Sequence, residues 1–129
     1  MTEYLEVDSL LALAELFLGK PAEVRDLGLL ASAAARPAAS MFGEEAYPDL
    51  WSKAAALLQS LSANQALVDG NKRLAWVGAR AFLALNGITP YAVEVDEAER
   101  FMLAVASGIL TEVDLIAHQL HELLVRRRR

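Results

Sequence analysis

Apolar residues along this chain recur at intervals of three and four, in blocks separated by glycine, proline and short polar runs, the pattern of packed amphipathic helices. Leu10, Leu11, Leu13, Ala14, Phe17 and Leu18 make one broad face behind Asp8, whose carboxylate suits a helix N-cap; Gly19-Lys20-Pro21 ends the block. Asp26 is placed to cap a second helix over Leu27–Ala35, which Arg36-Pro37 stops. Residues 38–49 are mixed. Gly43, Glu44, Glu45, Tyr47 and Pro48 there read as a loop or flap with room for one short helical turn. Pro48 then introduces a long helix through Leu61, built on Leu50, Trp51, Ala54, Ala55, Leu57, Leu58 and Leu61.

The pattern breaks over 64–70 and resumes over 71–86 as a helix apolar on nearly all sides, which places it centrally; Asn86-Gly87 is its stop signal. Residues 89–95 read as extended or irregular. Asp96 opens a further helix over 97–107, ended by Gly108, and Thr111 or Asp114 starts a last one towards Leu124. The expectation is an all-α fold: a compact bundle of about six helices with a buried central helix, in a single domain over 1–129.

Composition sharpens this reading. Apolar residues make up 55% of the chain, alanine and leucine foremost, which favours helices and easily supplies a core. The net charge of −5 argues against a protein that wraps nucleic acid, where a broad basic surface supplies most of the affinity. The absence of cysteine excludes disulfides and thiolate metal sites. The N-terminus lacks the pattern of a signal peptide, and the longest apolar run, 74–85, contains Arg80 and falls short of the ~20 residues of a membrane span. The expectation is a cytoplasmic protein that binds neither membrane nor nucleic acid.

The chemistry concentrates in Asn64-Gln65-Ala66-Leu67-Val68-Asp69-Gly70-Asn71-Lys72-Arg73-Leu74-Ala75-Trp76. Here a loop with a glycine feeds straight into a buried helix. The first amides of that helix lack intrahelical acceptors, and the macrodipole adds partial positive charge. Gly70 lets the backbone approach an anion, and Asn71, Lys72 and Arg73 bring polar side chains to the same end. A phosphate site follows, with Asp69 beside it as a ligand for Mg²⁺. The same residues also make an ordinary turn and helix cap with solvated charges. Burial of the helix behind them favours a rigid, preorganised tip.

These residues carry a resemblance to the Fic/Doc family, and within it to the Doc (death-on-curing) toxins of toxin–antitoxin operons. That family's motif reads His-x-Phe-x-Asp-(Gly/Ala)-Asn-Lys-Arg; aligned on Asp69-Gly70-Asn71-Lys72-Arg73, the chain has Gln65 at the histidine and Leu67 at the phenylalanine. Arg25 to Ala33 with Arg36-Pro37, Tyr47-Pro48 through Ala55, and Phe82-Leu83 with Asn86-Gly87 are similar to flanking family blocks, so nearly the whole chain is covered.

The resemblance implies an all-α Fic fold, ATP with Mg²⁺, a protein kinase that phosphorylates elongation factor Tu and blocks translation, and a Phd-like antitoxin that folds as a helix into an apolar groove. Nucleotide would be held by Gly70, Asn71, Lys72 and Arg73, and Mg²⁺ by Asp69; Asp69, Lys72 and Arg73 would serve catalysis. Glu44, Glu45 and Tyr47 would lie in the flap that positions the target. Fic enzymes that transfer AMP carry glycine where this chain has Lys72 and arginine where it has Trp76, so both residues favour the kinase branch.

Gln65 breaks the pattern. The motif histidine is the family's general base, and a carboxamide cannot accept a proton at physiological pH. The chain is therefore expected to bind nucleotide but turn over poorly. Two origins fit: a detoxifying change, favoured because the other motif polar residues are in place, or a natural pseudo-enzyme. Rival readings are an AMP transferase and a non-catalytic module held by an antitoxin.

The remaining candidates read as structural. His118 and His121 with Glu122 share a helix face but have no third ligand in sequence, and Arg126 to Arg129 suit a helix C-terminus followed by a solvated tail. Trp51 and Trp76 fall within apolar helical patterns and read as core, and Arg80 must find a carboxylate or carbonyls.

Overall fold

A computed structural model describes residues 1–126 of the 129. The expected arginine tail therefore lies, beyond Arg126, outside the described residues. In chain order the elements are α1 (Val7–Leu18), α2 (Leu27–Ala35), a 3₁₀ turn (Arg36–Ala38), β1 (Ser40–Met41), β2 (Glu44–Glu45), α3 (Leu50–Asn64), α4 (Asn71–Leu85), α5 (Val95–Ala106) and α6 (Val113–Val125). The two strands form an antiparallel hairpin with Ser40 opposite Glu45 and Met41 opposite Glu44. The expected flap is thus a small piece of sheet on an otherwise helical bundle.

Local signals explain most boundaries. The Asp26 carboxylate accepts from the Leu29 amide at 3.0 Å, so α2 starts where its cap predicts. The start of α3 is set by Asp49 and Ser52, which exchange hydrogen bonds as a capping box, and Pro48 sits just outside. At the other end α3 runs past Leu61 to Asn64, where Gln65 turns left-handed. Asp8 does not cap α1: Glu6 holds that position without a side-chain bond, and Asp8 lies in the first turn. Asn86 closes α4, its side chain spanning Phe82 O and both backbone groups of Glu3.

Of the two long central helices, α3 is the more deeply buried. Ten of its fifteen residues are inaccessible, against seven on α4, whose Arg73, Ala84 and Leu85 face solvent. Each fully buried leucine or phenylalanine, such as Leu57, Leu58, Leu74 and Phe82, contributes about 1.5–3 kcal/mol of transfer free energy. Close approach of α4 to its neighbours depends on Gly78, where a Cβ would lie 3.2 Å from Leu61 Cδ1 and 3.5 Å from Leu10 Cδ2.

The surprise in the core is Lys53, 1% exposed on the second turn of α3. Its ammonium donates to Glu45 Oε1 at 2.9 Å and to Pro37 O at 3.3 Å, and lies 5.8 Å from the Tyr4 ring centroid. Burial presses its pKa down, but the hydrogen bonds and charges of Glu45 and Tyr4 outweigh that penalty, and the net direction is up from 10.5.

Candidate functional site

The loop between α3 and α4 is strapped down on two sides. On one side the segment before α2 runs alongside it. Ala66 O accepts from the Arg25 and Asp26 amides at 2.7 and 3.0 Å, the Val68 amide donates to Glu23 O at 2.9 Å, and Val24 forms a bridge with Leu67. On the other side Asn71 reaches back from the first turn of α4. Its Oδ1 accepts from the Leu67 amide and its Nδ2 donates to Leu67 O, both at 2.9 Å. Leu67 itself is fully buried, an apolar plug that anchors the loop.

What this clamp presents is the tip of α4. Gly70 takes φ +89°, a left-handed value that admits glycine most readily, and a Cβ there would meet Phe17 Cε1 at 3.0 Å. Val68 and Asp69 are exposed on the approach to it. Lys72 Nζ pairs with Glu99 Oε2 at 3.2 Å, and the Arg73 guanidinium lies 5.0 Å from the Phe17 ring centroid. The helix-end amides of this turn, the dipole of α4 and two solvent-facing cations converge on one small region, a setting suited to an anion.

Gln65 sits at the C-cap of α3 with φ +54°. Its Nε2 donates to Ser62 O at 2.9 Å, and its Oε1 accepts from Asn71 Nδ2 at 3.4 Å. The structure thus brings Gln65, Asp69, Gly70, Asn71, Lys72 and Arg73 to one loop and helix tip. Of these, Asn71 differs from the sequence-based expectation: its side chain is 9% exposed and occupied with the loop, so only its backbone is left for a ligand.

The flap residues are placed differently. Glu45 is paired with Lys53 near the N-terminal end of α3, while the motif loop leaves that helix eleven residues later, roughly 16 Å along its axis. Tyr47 OH accepts from Arg36 Nε at 2.9 Å, and the same guanidinium donates to Ala56 O and Ser60 Oγ. Glu45 and Tyr47 therefore seat the hairpin on α3. The free parts of the hairpin are Glu44 and the tip, where Met41 is 65% and Phe42 99% exposed.

Other candidates resolve simply. Trp51 and Trp76 are half-buried rather than core; Trp51 meets the exposed His121 edge-on at 4.7 Å between centroids. Arg80 finds Tyr91 O at 3.4 Å and lies over Trp76 at 5.5 Å, and burial lowers its pKa. Arg126 pairs with Glu97. Among the described residues no three His, Cys, Asp or Glu converge on a metal position, and no helix is long and apolar enough to cross a membrane. Phe17, Arg25 and Glu99 escape a sequence reading, because only the fold brings them to the motif.

A clamped glycine turn delivering a helix tip and two cations, on a six-helix bundle with one hairpin, defines a class of protein. The Fic/DOC family model matches residues 4–83, and the chain belongs to the Fic/Doc family. Over 121 residues it is 50% identical to Toxin Doc of Mycolicibacterium smegmatis, covering 93% of this chain and 92% of that protein.

Proposed function

We propose that this chain is a Doc-type toxin, acting as a single domain, whose site binds ATP and transfers its terminal phosphoryl group to a hydroxyl of a translation factor, elongation factor Tu by resemblance. The observation that carries this reading is the α4 tip: a left-handed Gly70 and a doubly clamped loop hold the first amides of a buried helix rigidly beside Lys72 and Arg73. Rigidity matters because phosphoryl transfer is mostly positioning and electrostatics. Lys72 and Arg73 neutralise phosphate charge, and the amides of residues 71–73 donate to phosphate oxygens. Asp69, exposed beside that turn, is the residue to hold Mg²⁺, an ion commonly shared between one or two carboxylates, phosphate oxygens and water and able to offset phosphate charge.

In the transfer, the target oxygen bonds to the terminal phosphorus, the bond from that phosphorus to the bridging oxygen breaks, and ADP departs. The proton of the target hydroxyl needs an acceptor near position 65. The Gln65 carboxamide cannot take it, so turnover is attenuated, by about 10²–10⁴ for the loss of a general base. The hairpin, with Glu44 and its exposed tip, lies on the target side of this reading, and Glu45 and Tyr47 serve it by fixing the hairpin's feet. A Phd-like antitoxin is the expected partner, and the cytoplasm the expected compartment of a toxin acting on translation.

The test is Gln65→His, assayed for phosphate transfer to elongation factor Tu and for growth arrest. A gain of about 10²–10⁴ in rate with ATP affinity unchanged supports the reading; a silent histidine variant that still binds ATP refutes it. Mass spectrometry of the target distinguishes phosphorylation from AMP transfer. Capture of a co-expressed Phd-like antitoxin by a chain that does not bind ATP favours a non-catalytic binding module.

A further inference from the structure

Beside the α4 tip the chain forms a cleft of about 390 Å³, lined by Lys72, Arg73 and Trp76 of α4, by Val93, and by Val95, Ala98, Glu99 and Met102 of α5. Its α5 wall lies outside the residues 4–83 that match the family model. We infer that this cleft receives the purine nucleoside moiety of the bound nucleotide, with the base stacked on Trp76 and held between Val93, Val95 and Met102. The inference rests on the proposed phosphate site at the α4 tip and names what lies next to it.

Three observations support it. The volume falls within the range of about 300–1,000 Å³ typical of small-molecule sites, and its walls combine apolar side chains with a few polar ones at the mouth. Continuity is the second: Lys72 and Arg73 belong both to the cleft and to the first turn of α4, so phosphates at the tip place the attached nucleoside in the cleft. The third is how Trp76 is held. Phe101 meets it edge-on at 6.2 Å between centroids, and Arg80, which lies over the indole at 5.5 Å, lines the neighbouring cleft and not this one. Trp76 borders both clefts, with Arg80 over the indole in the neighbouring one and Phe101 against it edge-on, and the part of the ring that lines this cleft is the stacking platform. At the mouth, Lys72 is paired with Glu99, both side chains about half exposed. Lys72 moving onto phosphate frees the Glu99 carboxylate to accept from the ribose hydroxyls.

The chain has two tryptophans, so Trp51→Phe leaves Trp76 as the sole indole reporter in an otherwise intact protein. This variant is titrated with ATP, adenosine and inorganic tripolyphosphate, each with Mg²⁺. The expected result is that ATP and adenosine both change Trp76 emission, while tripolyphosphate displaces ATP without the adenosine signature. Trp76→Ala in the full chain should weaken ATP binding about five- to hundredfold, the range that base–aromatic stacking supplies. It should leave tripolyphosphate affinity within about twofold, and Trp76→Phe should restore most of the ATP affinity. Tripolyphosphate binding with Trp76 silent to adenosine and ATP overturns the nucleoside cleft and leaves the phosphate site standing. Failure of both ATP and tripolyphosphate to bind overturns both.

Discussion

Among the described residues two other than glycine take positive φ, and they sit at the two places where the chain has most to do: Phe42 at the hairpin tip and Gln65 at the motif, both at φ 54°. Phe42 and Gly43 form the two-residue turn between β1 and β2, and Gly43 shares the left-handed sign at φ 80°. Such turns suit Asn-Gly, and a bulky side chain there costs on the order of 1 kcal/mol. Phe42→Asn is therefore expected to raise stability by about 0.5–1 kcal/mol, read as an upward shift of the urea midpoint; an unchanged midpoint would mean the tip is not strained. Asn71 is the opposite case, a residue whose side chain the fold cannot spare. Asn71→Ala would leave the buried Leu67 amide without its acceptor and its carbonyl without the Nδ2 donor, at a cost of about 1–3 kcal/mol. Loss of the clamp should also weaken ATP binding, so denaturation and nucleotide titration must both respond for the assignment to hold. Nothing in the spacing of Asn71 distinguishes this inward role from that of a phosphate-facing neighbour. Its direction follows from the strapped loop, a tertiary feature.

Elements were legible where their ends carry their own chemistry. Asp26 and the Arg36-Pro37 stop define α2, and Gly70 defines the start of α4, because capping and the restriction before proline act over a few neighbouring residues. The hairpin was not legible, since two-residue strands leave no alternation to read. Its position is instead held by long-range pairs, Lys53 with Glu45 and Arg36 with Tyr47. A lysine in an apolar helical pattern is ordinarily expected to reach solvent, and it is the hairpin folding over α3, with Pro37 and Tyr4, that encloses this one. Lys53→Met should destabilise by about 1–3 kcal/mol, less than for a wholly buried pair because Glu45 can rehydrate. The pH dependence has a definite sign. The folded-state pKa of Lys53 is raised above 10.5, so its stabilisation is complete below that unfolded value and fades as pH climbs through the folded one. The stability gap between the parent chain and Lys53→Met, followed by urea melts, should stay level from neutral pH to about 10 and then close. A gap that instead widened with alkalinity would contradict the pairing.

At the scale of the whole molecule, the motif was readable as a phosphate site from Asp69 to Arg73 because glycine, helix start and cations are adjacent in sequence, whereas the cleft beside it was not. Trp76 read as core, and its partners Val93, Glu99 and Met102 come from α5 and the segment before it, more than a dozen residues away. Binding at such a tip should register on global stability. A ligand that binds only the folded chain stabilises it by about 2.7 kcal/mol at a hundredfold excess over its Kd, whether or not turnover follows. Mg-ATP should therefore raise the melting temperature of the chain with Gln65 and of Gln65→His alike. Reversing charge with Lys72→Glu and Arg73→Glu should abolish that rise. The same double substitution should change the stability of the ligand-free protein by only about 1 kcal/mol, since Lys72 loses a half-exposed ion pair and Arg73 an exposed contact over Phe17. Calorimetry with and without nucleotide separates the two effects. A doubly reversed chain that melts normally alone and is still stabilised by Mg-ATP would place the nucleotide elsewhere, and the α4 tip would then be a helix start and nothing more.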